Sequence, residues 1–240
     1  MKLDNLGVKT EGKAIVHGIS LSLADGEMHV IMGPNGSGKT TLGYAISGHP
    51  AYETSGRIFL DSLDISKLKP DERARAGIFL AFQNPPSVEG VGLLNFMRKS
   101  ANANGMQTDV MKFSEEARKL AKVVKMDESL LLRDLNMGLS GGEKKKSETL
   151  QMLSLQPKVA IIDEIDSGLD VDALKAVGKA IEKSRDGKRI FLIITHQEGL
   201  LKYLKPDVVH IMAGGRIVKS GGAKLANEIA KNGYSAYSLG

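Results

Sequence analysis

Gly33-Pro34-Asn35-Gly36-Ser37-Gly38-Lys39-Thr40 fits the pattern G-x-x-x-x-G-K-[ST], in which glycines leave a loop's backbone N–H groups free to close around a phosphate. The run before it, Glu27-Met28-His29-Val30-Ile31-Met32, reads as a buried strand. The run after it, Thr41-Leu42-Gly43-Tyr44-Ala45-Ile46, continues as a helix. Strand, loop and helix in that order are the context the pattern requires. A chance Gly-rich turn would not satisfy every fixed position and both flanks together. Residues Gly33 to Thr41 are therefore the expected phosphate cradle. Lys39 sets a point charge against the β and γ oxygens, and the Thr40 hydroxyl is placed to ligate Mg²⁺.

Composition narrows the rest. A chain of 240 residues can build one sizeable α/β domain or a core with an inserted lobe. No apolar run approaches the ~20 residues of a spanning helix, so no direct membrane insertion is expected. The start, Met1-Lys2-Leu3-Asp4-Asn5, lacks an apolar signal core, which makes a cytoplasmic location the expectation. There is no cysteine, hence no disulfide and no thiolate metal site. The net charge of +5 is spread among acidic residues, with no tryptophan and no aromatic–basic stacking pattern, so no nucleic acid partner is expected.

Outward from the loop, Ile19-Ser20-Leu21-Ser22-Leu23 alternates with period two, and Asp25-Gly26 turns the chain. Gly56 to Leu60 and Ile78 to Phe82 read as further strands. A helix opens at Pro70-Asp71-Glu72, with proline and acids at its positive end. After Gln83-Asn84-Pro85-Pro86 the β signal fades until about residue 139. Phe113, Ala117, Leu120 and Val124 there share one helical face. Residues 88–139 are thus expected to form a helical subdomain inserted into a nucleotide-binding core of 1–87 and 140–240. The remainder returns to α/β: Val159 to Ile162, a helix over 172–184, Ile190 to Ile194, then Val208 to Met212 and Gly215 to Val218 as a hairpin over Ala213-Gly214.

Two segments add chemistry. The strand Val159 to Ile162 ends in Asp163-Glu164, a pair suited to holding Mg²⁺ (Asp163) and polarising an attacking water (Glu164). Leu139-Ser140-Gly141-Gly142-Glu143 spells a capping box, with Ser140 as N-cap and Glu143 at the third helical position. Its two glycines also bare a helix N-terminus to an anion. That segment resembles the signature motif of ATP-binding cassette (ABC) ATPases, where it contacts the γ-phosphate held by the opposing subunit's P-loop. With that resemblance, Gln83 matches the glutamine that senses Mg²⁺ and the γ-phosphate and couples two lobes. Ser167-Gly168-Leu169-Asp170 matches the loop lying across the subunit contact. His196 matches the switch histidine beside the attacking water. His17, His29, His49 and His210 are read as structural.

The resemblance covers nearly the whole chain and implies an α/β P-loop NTPase of the ABC-ATPase fold. That fold has a RecA-like mixed sheet core, an antiparallel β subdomain and an inserted helical subdomain. It implies ATP and Mg²⁺ as cofactors, catalysis by Glu164, His196 and Gln83, and a metal site of Thr40, Gln83 and Asp163. It further implies a transient head-to-tail dimer on ATP, with Ser140, Gly141 and Gly142 serving the partner's nucleotide. Two departures stand out: Lys9-Thr10-Glu11-Gly12 lacks the aromatic residue that commonly stacks on adenine, and Ile165 replaces the usual proline after the glutamate. The segments Phe79 to Pro85, Leu139 to Lys146 and Ile162 to Asp170 look like the SufC branch, the ATPase subunits of SUF iron–sulfur cluster assembly. In that branch the partners are soluble scaffold subunits resembling SufB and SufD. The alternatives are the ATP-binding subunit of a membrane ABC transporter and a nucleotide-gated module that does not hydrolyse. Lys144-Lys145-Lys146 stands where transporter ATPases more often have Gln or Arg, and its plainest reading is the solvated face of a helix.

Overall fold

The computed structural model describes residues 1–195 and 199–237. In chain order the elements are β1 (Lys2–Thr10), β2 (Lys13–Ser22), β3 (Met28–Met32), α1 (Lys39–Ser47), β4 (Glu53–Leu60), β5 (Leu63–Asp64), α2 (Pro70–Arg75) and β6 (Ile78–Ala81). Then come β7 (Val88–Gly92), α3 (Leu93–Ala103), α4 (Val110–Val123), β8 (Asp134–Leu135), α5 (Gly141–Leu155), β9 (Val159–Asp163) and α6 (Val171–Lys183). The chain closes with β10 (Ile190–Ile194), β11 (Val208–Ala213), β12 (Arg216–Gly221) and α7 (Lys224–Asn232).

The central sheet has the order β12-β11-β3-β10-β9-β6. Its neighbours are parallel except the outer β11–β12 pair. β3, β9 and β10 are buried along their whole length, as near-continuous apolar strands must be when both faces are covered. Alternation then sorts side chains into two cores. Met28, Val30, Ala160, Ile162, Phe191 and Ile193 pack on one face with the helices of the insertion, while Ile31, Ile161, Leu192 and Ile194 pack on the other with α1 and the β1/β2/β4 sheet. That second sheet, in the order β2-β1-β4-β5, is antiparallel. In α4 the expected stripe is present, with Phe113, Ala117 and Val124 buried, and Ala121 fills its seam.

Two readings need correction. The β signal does not vanish across 88–139: β7 pairs antiparallel with β8 and closes the insertion at its base. Most of β7 is exposed, so no apolar alternation announces it. The pairing comes from the tertiary meeting of the two ends, where Asp134 Oδ2 accepts the Gly90 N–H at 2.8 Å and Arg133 O accepts the Leu93 N–H at 2.8 Å. The second concerns the late hairpin, which turns at Gly214-Gly215 because β11 runs through Ala213. Both turn residues have positive φ, 49° and 73°, as a two-residue turn matched to strand twist demands.

Several charged and polar side chains inside this fold meet partners. Arg73, 3% exposed, donates to the carbonyls of Leu68, Ala45, Ile46 and Ser66 at 2.7–3.0 Å. A cation thereby meets the C-terminal end of α1, where the helix dipole favours it. On β3 and β11 a proton chain crosses the sheet. His210 Nδ1 lies 2.8 Å from Ser220 Oγ, His210 Nε2 lies 2.9 Å from His29 Nδ1, and His29 Nε2 lies 2.9 Å from Glu27. One arrangement that satisfies every contact has Ser220 donating to His210, His210 to His29, and His29 to the Glu27 carboxylate. Burial, and then the neighbouring His29, push His210 down to about 4.

The sign of the linkage follows. Above the ordinary histidine value of 6.5 neither folded nor unfolded His210 is charged. As pH falls from 6.5 towards 4 only the unfolded chain takes the proton, so stability drops, by on the order of 3 kcal/mol at most. Urea unfolding of wild type and His210→Gln between pH 7.5 and 4 is expected to give a shallower decline for the variant. Parallel curves would show that His210 does not titrate this way.

Candidate functional site

Three parallel strands end together and set the site. Ile194 of β10 is in register with Ile31 of β3 on one side and with Asp163 of β9 on the other. Beyond those ends, the Thr195 N–H donates to Ile31 O (3.2 Å) and the Glu164 N–H to Ile194 O (2.9 Å). The P-loop, the acidic pair and the segment leading to His196 thus leave one edge of the sheet. His196 itself lies outside the described residues.

The loop is closely held. A Cβ on Gly33 would come within 2.1 Å of Met212 O, so the β11 backbone leaves room only for glycine. Gly38, the residue before α1, has φ 100°, a conformation glycine adopts freely. Lys39, 4% exposed, reaches back to Gly33 O at 2.8 Å and Pro34 O at 3.0 Å. Burial lowers its pKa, opposed by the charges of Glu164 and Asp163. A cavity of about 430 Å³ opens over the loop, walled by Asn35, Gly36, Lys39, Thr40, Gln83 and Glu164 among others. The Ser37 hydroxyl, buried with no protein partner, is an orphan group of the loop.

The donor set suits a nucleotide-bound magnesium ion. Thr40 Oγ1 sits 3.3 Å from Asp163 Oδ1, and the Gln83 amide donates to Glu164 Oε2. Hydroxyl, carboxylate and amide oxygens are hard ligands. Mg²⁺ is characteristically held by one or two carboxylates together with substrate phosphates, not by a closed protein cage. Among the described residues no group of three or more His, Cys, Asp or Glu side chains forms such a cage. Burial, reinforced by Glu164 and opposed most by the Thr40 hydroxyl, pushes Asp163 up to about 6 without a cation; a bound dication would reverse that shift. Glu164 has φ 46°, a left-handed backbone rare for its residue type. Its carbonyl accepts from the Ser167 hydroxyl at 2.9 Å, which folds the next segment under it.

Ser140, Gly141 and Gly142 stand elsewhere. Ser140 caps α5: Glu143 Oε2 accepts its N–H at 2.8 Å and its hydroxyl at 2.7 Å. A Cβ on Gly142 would lie 3.2 Å from Gly168 O, so the signature segment packs against its own Ser167 to Asp170 loop. Among the described residues that wall the P-loop cavity, none belongs to the signature segment.

A family model described as ABC transporter matches residues 16–167. The chain belongs to the ABC ATPase family. Vegetative protein 296 of Bacillus subtilis is 48% identical over 98% of this chain and 91% of its own length. The Escherichia coli protein named "Probable ATP-dependent transporter SufC" is 45% identical over 98% of this chain and 97% of its own. Among solved structures, the dimeric ATP-binding cassette MJ0796 bound to ADP and Pi superposes with a TM-score of 0.79 at 19% identity, covering 92% of this chain and 97% of that one. That likeness shows the cassette fold, with its mixed sheet, antiparallel β subdomain and helical insertion. This ABC ATPase binds ATP with Mg²⁺ and hydrolyses it.

Three residues of this ATPase were not singled out correctly from sequence. Ile15 of β2 walls the P-loop cavity and stands against Gly38, an apolar side chain at a site that lacks the expected aromatic. An alternating strand pattern was the only available signal for it. Lys145 belongs to no solvated face: it is 4% exposed and donates to the carbonyls of Phe82 (3.2 Å) and Gln83. Three consecutive lysines hide which one points inward. Asp166, following the Ile165 that replaces proline, accepts the Thr195 hydroxyl at 2.7 Å in the interior. It ties the segment after Glu164 to the end of β10.

Replacing Lys39 by alanine removes the only lysine that walls the cavity, among the described residues. Phosphate release by Lys39→Ala is expected to fall at least ~100-fold at an unchanged melting temperature. Wild-type turnover by a folded Lys39→Ala protein would mean the phosphate site lies elsewhere.

Proposed function

We propose that this ATPase is the motor subunit of a SUF-type iron–sulfur cluster assembly machine. Two copies close head to tail on ATP, and the stroke reshapes soluble scaffold partners resembling SufB and SufD in the cytoplasm. The observation that carries the reading is the near end-to-end similarity to Escherichia coli SufC, 45% identical over 98% of this chain. The lack of cysteine agrees with it, since a motor subunit leaves sulfur and iron to its partners.

In this reading the catalytic site is built from two chains. The P-loop, residues Gly33 to Thr41, cradles the triphosphate of one copy, with Thr40, Asp163 and Gln83 around Mg²⁺. Ser140, Gly141 and Gly142 of the second copy present the N-terminus of α5 to the γ-phosphate. Glu164, with His196, orients the water. Positioning and fixed dipoles supply most of the rate. Separation of Ser140 from the P-loop cavity of the same chain supports the need for a second copy.

The partner is reached at the Gln83 loop. A groove of about 490 Å³ opens there between the core and the insertion, with Phe79, Phe82, Phe96, Ala103 and Leu135 among its walls. A scaffold segment seated in it would feel the insertion rotate when the γ-phosphate leaves. A second reading, the ATP-binding subunit of a membrane transporter, draws on relatives that bear transporter names. No described helix is long and apolar enough to cross a membrane, so that reading needs a separate permease.

Glu164→Gln is expected to bind ATP and persist as a closed dimer by light scattering, while wild type returns to its starting state after hydrolysis. A variant that stays monomeric in saturating ATP would count against the sandwich. Affinity capture from a lysate made without detergent separates the two machines. Scaffold subunits recovered in the soluble fraction fit the assembly motor, and a permease recovered only with detergent overturns it.

A further inference from the structure

The loop that carries Gln83 is fastened to the signature helix by buried polar side chains that no ATPase motif accounts for. Lys145, Glu148 and Gln151 lie at successive three-residue steps of α5, each only 4% exposed. The parallel ladder between β6 and β9 ends at the Ala81–Ile162 pair, so the next N–H, that of Phe82, needs a different acceptor. Glu148 Oε2 supplies it at 3.2 Å. Gln151 Nε2 steadies the same carboxylate by donating to Oε1 at 3.2 Å, and Lys145 lies alongside, donating to Phe82 O and Gln83 O. At the far end of the loop, Asn136 Nδ2 donates to Pro86 O at 2.9 Å, and Ser87 Oγ to Asn136 O at 2.8 Å. Between these anchors, the Gln83 side chain meets Glu164.

A carboxylate in the interior is costly without partners, and an apolar residue of similar size would pack there at less expense. Burial shows its effect, pushing the Glu148 carboxyl up to about 7 against the pull of the Phe82 N–H, Gln151 and Lys145. The group nevertheless sits where its acceptor oxygen fixes the first residue beyond the strand, one position before Gln83.

We propose that Glu148 is a positioning residue for ATP hydrolysis, holding the backbone of Phe82 so that Gln83 is delivered to Glu164 and the magnesium site. It touches neither nucleotide nor metal and acts only through Gln83. Because Glu148 rides on the helix that Ser140 opens, it also makes the loop follow the signature helix of its own chain.

A double-mutant cycle on the full chain tests this, with phosphate release giving kcat and KM, and a fluorescent ATP analogue giving affinity. Glu148→Ala is expected to lower kcat about tenfold or more, since an ångström of misplacement is enough for such losses. KM and analogue affinity should stay within about twofold, because the P-loop is untouched. Glu148→Gln keeps an acceptor oxygen and is expected to recover kcat to within about threefold of wild type. In a Gln83→Ala background, Glu148→Ala should have almost no further effect, as residues acting in series are not additive. If Glu148→Ala does not fold, Glu148→Asp, which draws the carboxylate back from the Phe82 N–H, takes its place in the same cycle. Losses that add in the double variant, a kcat equal to wild type, or a Glu148→Gln as impaired as the truncation would each overturn the proposal.

Discussion

The register of β10 between β3 and β9 is the constraint on which the rest of the structure depends. A one-residue slip of a ladder turns every side chain of the strand to the opposite face. Here both faces are buried, so the pairing of Ile194 with Ile31 and with Asp163 is fixed by two cores at once. Strand ends in register bring the P-loop, the acidic pair and Thr195 to one edge, the place where open parallel sheets bind their ligands. Hydrogen bonds from Thr195 N–H to Ile31 O and from Glu164 N–H to Ile194 O carry the register one residue past the strands. The left-handed backbone of Glu164 is tolerated because these contacts over-determine it.

Around that edge, several charged groups enter the interior in company. Arg73 spends its donors on four carbonyls, two at the end of α1 and two in the segment before α2. His29 and His210 share a proton chain ending on Glu27. Lys145 and Glu148 meet the backbone of Phe82 and Gln83. Each cluster joins parts distant in sequence. The last one joins the signature helix to the loop beside Glu164, so the lobes of this ATPase are linked by directional bonds as well as by packing.

Such a linkage suits the proposed arrangement in which two chains share each site. The signature segment packs on its own Gly168 and takes no part in the walls of its own P-loop cavity. A closing partner would supply Ser140 to the nucleotide, and the same movement would reach the Gln83 loop through α5. Rigid elements with a few buried polar joints transmit a small displacement without dissipating it, because packed interiors are poorly compressible.

Much of this was legible in the order of residues. The P-loop, the strand ending in Asp163-Glu164 and the Ser140–Glu143 capping box are local signals, set by backbone conformation and by side chains three positions apart. Apolar runs such as Ile190 to Ile194 announced the central strands for the same reason. The β7–β8 ribbon, the inward turn of Lys145, the pairing of Asp166 with Thr195 and the place of Ile15 beside Gly38 were not legible. Each depends on a neighbour tens of residues away, and no local periodicity encodes it. By itself the sequence determined which segments carry the phosphate-loop, acidic-pair and capping-box patterns, since those reside in contiguous backbone. Only the tertiary structure decided which buried side chains hold those segments in place, since burial and partnership exist only once distant strands and helices have met.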